Sequence, residues 1–83
     1  MKPQFQQAYN ALRTLGVPLF ERDDQPGRFF ISAEHPESGE WVSYYSGDRD
    51  WIFGVHPAID STLRQFDLFA EWENPGCLVV CEA

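Results

Sequence analysis

Phe69-Ala70-Glu71-Trp72-Glu73-Asn74-Pro75-Gly76-Cys77-Leu78-Val79-Val80-Cys81-Glu82 is the stretch that decides the fold. Asn74-Pro75-Gly76 is a strong turn signal between two strand-like runs, Phe69–Glu73 and Leu78–Glu82. Strands joined by so short a turn pair antiparallel. The C-terminus therefore reads as a hairpin.

Upstream of the hairpin, His56-Pro57 opens a helix. Ile59, Leu63 and Phe66 share one face at helical spacing, and Pro57 fits a first turn where its missing N–H costs nothing. The helix is expected to end near Asp67. Before it, Trp41–Tyr45 and Trp51-Ile52-Phe53 are rich in aromatic and β-branched residues, and both are expected to be strands. Ser46-Gly47-Asp48 turns between them. Earlier still, Leu19–Arg22 and Arg28–Ser32 flank Asp23-Asp24-Gln25-Pro26-Gly27, a loop by composition, and form a second hairpin.

The N-terminus reads as an amphipathic helix over residues 3–15. Phe5, Ala8, Tyr9, Leu12 and Leu15 follow a single stripe. Gly16 suits the left-handed cap position, and Pro18 bars continuation. The whole order is helix, strands, helix, strands, with no repeat or linker. The expected fold is α+β: a small single domain over residues 1–83, with a twisted antiparallel sheet and two helices packed on one face. Phe5, Leu12, Leu15, Ile59, Leu63 and Phe66 are the expected core layer.

Composition bounds the function. The 83 residues hold 13 acids against six Lys and Arg, a formal net charge of -7, with seven Phe, three Tyr and three Trp. A domain this small buries only roughly 60–65% of its unfolded surface, so the large aromatics matter to its core. Residues 1–20 carry Lys2 and Arg13 and no acid, so the acidity lies almost wholly beyond the first helix. Such a chain repels nucleic acid and anionic membranes and attracts basic protein surfaces. Stacking of Trp41, Tyr44 or Tyr45 on bases would need a basic groove, which six scattered cations do not supply. No apolar run is long enough to span a membrane, and residues 1–7 lack the apolar core of a secretory signal. A cytoplasmic setting with reduced thiols is expected.

Catalytic and metal motifs are weak. His35, His56, Cys77 and Cys81 are zinc-type ligands, and a small enzyme or metal protein using them is one alternative function. In a strand, however, Cys77 and Cys81 stand about 13 Å apart, too far for one zinc or a disulfide. They read as structural thiols. Both histidines precede proline, which suits loop ends and helix starts. The acids of Asp23-Asp24 and Asp48-Arg49-Asp50 lack the offsets of a calcium loop. There is no nucleophile elbow, phosphate loop or dinucleotide fingerprint. No cofactor and no metal are expected.

What remains is carboxylates beside aromatics, the composition of an anchor for a basic protein. The expected partner-binding edge is Asp23, Asp24, Asp48 and Asp50, with Tyr45 and Trp51 beside them. The expected function is a non-enzymatic acidic binding protein, a stoichiometric inhibitor or immunity-type protein occupying a basic, nucleic-acid-binding surface of its partner. Anti-CRISPR proteins are similar in size and charge, and in those respects alone. An accessory subunit of a larger complex is a further alternative.

Overall fold

Helix α1 spans Pro3–Leu15, as its periodicity predicts. Gly16 ends it at φ 95°, and the Val17 N–H reaches back to the Leu12 carbonyl at 3.1 Å. That bond closes a Schellman-type cap, which needs a residue tolerant of positive φ at Gly16. Phe5, Ala8 and Leu12 are buried. Leu15 is not: it is 45% exposed, and Val17, beyond the cap, takes the buried place. The helix ends before its last leucine can reach the core. The structure, a computed structural model, describes residues 1–45, 51 and 53–83.

Strands β1 (Leu19–Phe20) and β2 (Phe30–Ser32) pair antiparallel as the expected hairpin, shorter than the sequence suggests. Helix α2 covers Pro57–Arg64, and the His56 Nδ1 accepts from the Ala58 N–H at 2.9 Å as its N-cap. The cap satisfies one of the orphan donors of the first turn. Strands β3 (Leu68–Asn74) and β4 (Cys77–Glu82) form the C-terminal hairpin, with a register shift between Trp72 and Asn74. The described strands make one open antiparallel sheet in the order β1-β2-β4-β3.

Side chains alternate across this sheet. Ile31, Leu68, Leu78 and Val80 enter the core with Phe5, Leu12, Ile59 and Leu63 of the helices, and Ala70, Trp72 and Phe66 pack on it half-buried. Full burial of each such leucine or isoleucine contributes roughly 1.5–3 kcal/mol. Both helices thus cover one face. On the other face Phe20 stacks on Phe30 at 5.3 Å, and the Arg22 guanidinium lies 4.8 Å from the Phe30 ring centre. Phe30 is fully buried by this arrangement.

Two expected strands differ from the structure. Ser38–Glu40 is a 3-10 turn, and Trp41–Tyr45 joins the rest through one isolated bridge, Val42 with Val55, outside the main sheet. Of Trp51-Ile52-Phe53, Ile52 lies outside the described residues, and Phe53 occupies a turn at φ 54°. Aromatic content suits a half-buried pleated surface in general. Here the same content fills a packed loop. Among the described residues, no helix is long and apolar enough to cross a membrane.

Candidate functional site

The loop that displaces the expected middle strands is held by a small set of directed bonds. The Ser43 N–H donates to the Gly54 carbonyl at 2.8 Å, and the His56 N–H to the Trp41 carbonyl at 2.8 Å. Gly54 sits at φ 73°, and a Cβ there would drive into the Ser43 carbonyl oxygen. From β3, the Trp72 Nε1–H donates to the Phe53 carbonyl at 2.7 Å. Phe53 is held in the left-handed region, a conformation costing about 1–3 kcal/mol that persists only when its surroundings enforce it.

Around this frame the aromatics form one group. Tyr44 meets Trp72 edge-on at 5.2 Å and Tyr45 at 5.2 Å. Trp41 and Trp51 both pack on the His56 ring, at 5.1 and 5.5 Å. Such ring pairs contribute about 0.5–1.5 kcal/mol each beyond area burial. Three rings stay largely in solvent: Tyr44 is 50% exposed, Tyr45 83% and Phe53 86%. A cavity of about 270 Å³ opens between Tyr44, Trp51, Phe53 and Trp72. This concentration of exposed aromatic surface on a braced loop is the candidate site, because scattered single apolar residues are ordinary and a cluster is not.

The residues expected at the partner-binding edge divide. Tyr45 and Trp51 belong to the aromatic group. Asp23 is exposed. Asp24 is engaged elsewhere: Arg22 donates to both of its oxygens, at 2.9 and 2.6 Å, and to Glu73 Oε2 at 2.6 Å. The Arg22 guanidinium holds the Asp24 carboxyl below the usual carboxylate range, and Asp24 in turn raises Arg22. Because Arg22 lies over Phe30, this network sits on the uncovered face of the sheet, whereas the aromatic group is built on the core-facing side chain of Trp72. Asp48 and Asp50 lie outside the described residues.

Tyr44, Phe53 and Trp72 stood outside the expected partner-binding edge. Their signal is visible only in hindsight, in the Phe53-Gly54 pair, where glycine allows the close approach to Ser43.

The zinc-type residues have structural duties. His35 Nδ1 accepts from the Glu37 N–H at 3.1 Å, as His56 Nδ1 does from Ala58. The Cys77 thiol donates to Glu73 Oε2 at 3.3 Å. Burial, and then Glu73, push the Cys77 thiol up, and burial pushes Cys81 up. Among the described residues, no group of three or more His, Cys, Asp and Glu is placed to hold a metal ion. No family model, curated protein or solved structure matches the chain.

Proposed function

We propose that the protein is a non-enzymatic binding protein that docks its exposed aromatic group onto a basic surface of a partner protein, as a stoichiometric inhibitor or immunity-type protein would. The reading rests on one observation above all: Phe53, 86% exposed, and Tyr44, 50% exposed, line one cavity with Trp72, whose indole N–H bonds to the Phe53 carbonyl. A backbone held in place before binding leaves only side-chain rotamers to order on docking, which favours affinity. The net charge of -7 supplies attraction to a basic surface and speeds encounter. A nucleic-acid-binding cleft is one such surface.

A photo-crosslinking side chain at Tyr45 would capture the partner, and binding kinetics would then test the site. Phe53→Ala is expected to raise the off-rate and to cost about 2 kcal/mol or more of binding free energy, as loss of a hot spot does. Asp48→Lys with Asp50→Lys is expected to lower the on-rate at low salt and flatten its salt dependence. A captured partner without a basic surface, or folded variants that bind at wild-type rates, would overturn the reading.

A further inference from the structure

The two edges of the sheet are unequal. β1 is two residues long, while β3 runs seven residues from Leu68 to Asn74 and, among the described residues, has a partner strand on one side only. A free edge presents unpaired N–H and C=O groups, and short strands are a usual defence against their use. β3 lacks that defence.

The register tells which groups are free. The Asp67 carbonyl accepts from the Ala83 N–H on the β4 side. Backbone direction alternates by residue in an antiparallel pair. Phe69 and Glu71 therefore turn their backbone groups toward Cys81 and Val79, and Ala70 and Trp72 turn theirs outward. Leu68 also points outward but is buried, so Ala70 and Trp72 are the accessible positions.

A groove of about 420 Å³ follows this edge, walled by Phe53 and Val55 and by Phe69, Ala70, Glu71 and Trp72. Phe69 and Glu71 face one side of the sheet, and Ala70 and Trp72 the other. A single groove that touches all four runs along the strand edge itself. Charge chooses the occupant. Glu71 takes part in none of the ion pairs among the described residues. Two copies pairing through β3 would bring Asp67 and Glu71 of each together and double a charge of -7. A second copy is therefore disfavoured and a cationic strand favoured.

We propose that the free edge of β3 accepts an extended basic segment of a partner protein as an added strand. Its main chain pairs with Ala70 and Trp72, its apolar side chains enter the groove beside Phe53 and Val55, and its Lys or Arg side chains fall on the Glu71 side. The alternation of a strand matches a groove with Ala70, Trp72, Phe53 and Val55 on one wall and Phe69 and Glu71 on the other. The inference rests on the proposed function, and adds to it the mode of docking and the form of the partner segment.

The probe is a short capped peptide alternating lysine and valine, titrated to millimolar concentration against the labelled protein by nuclear magnetic resonance. The expected result is shifted and exchange-protected amides at Ala70 and Trp72. A peptide with N-methyl groups on the amides of one edge, and a version with glutamate for lysine, should each bind at least about tenfold more weakly. Ala70→Pro removes one outward N–H and leaves the β3–β4 bonds intact, so it should have the same effect. The methylated peptides test the same bonds on the wild-type chain, whether or not that variant folds. If methylating the two edges in turn costs nothing on either one, strand addition is wrong while aromatic docking to a basic surface stands. If the lysine peptide leaves Ala70 and Trp72 unmoved, strand addition is wrong, and capture at Tyr45 decides the broader reading separately. A wild-type dimer in sedimentation that Ala70→Pro dissociates would make a second copy the occupant and overturn the proposal.

Discussion

The indole N–H of Trp72 donates to the carbonyl oxygen of Phe53, 19 residues earlier, at 2.7 Å. This bond ties the backbone of Phe53, the most exposed aromatic residue among the described residues, to the edge strand of the sheet. It makes the loop and β3 one surface, so that the aromatic group and the groove beside it have a fixed relation.

Trp72→Phe keeps a ring against Tyr44 and removes the donor. The expected loss of stability is about 1 kcal/mol or less, since the bond is accessible to water. Amide exchange at Phe53 and Gly54 should quicken, while the α1 amides stay protected. Unchanged exchange at both residues would mean the loop is held by its other bonds alone.

Gly54→Ala forces a methyl group against the Ser43 carbonyl at a positive φ. The left-handed conformation itself costs about 1–2 kcal/mol for an L-residue, and the backbone clash adds to it. Urea denaturation should show a loss of about 2 kcal/mol or more. Gly39→Ala is the control: nothing lies within 4 Å of its added Cβ and its φ is not positive, so the midpoint should barely move.

The core layer predicts an unequal response among leucines. Leu12→Ala and Leu63→Ala should each cost about 2–5 kcal/mol, because both side chains are fully enclosed. Leu15→Ala, at a position 45% exposed, should stay within about 0.5 kcal/mol. A large effect at Leu15 would contradict the placement of the helix end.

Cys77 and Cys81 carry thiols raised above their ordinary value in the folded chain. The unfolded chain therefore loses these protons first. The contribution to stability is complete below the ordinary thiol range and is lost as pH rises through the folded values. Stability should fall on the alkaline side, and Cys77→Ala with Cys81→Ala should flatten that decline in denaturation midpoints measured across pH. Alkylation of both thiols should be slower in the native chain than in urea. Native-state labelling as fast as in urea would show the two sites to be open.

The helices and the C-terminal hairpin were legible because their signals are local. Pro3 and Gly16 punctuate α1, His56-Pro57 opens α2, and Asn74-Pro75-Gly76 turns the chain between β3 and β4. Each signal acts through the φ of one residue or the period of a few neighbours, and needs no knowledge of what packs against it. The candidate site was only half legible. Tyr45 and Trp51 stood out in the sequence, but their grouping with Tyr44, Phe53 and Trp72 depends on bonds between distant segments.

The sequence by itself determined the fold class, the acidic charge, the starts of both helices, the end of α1 and the turn that makes β3 and β4 partners. Only the tertiary structure decided which aromatics are buried and which stand in solvent. Phe29 and Phe30 are enclosed and Phe53 is exposed, although all three occur in short apolar runs. It also decided that Asp24 is matched by Arg22, and that Arg22 meets Glu73, 51 residues away. The physical reason is the same in both cases. Exposure and charge pairing depend on which surfaces meet in three dimensions, and a side chain's type limits those meetings without choosing among them.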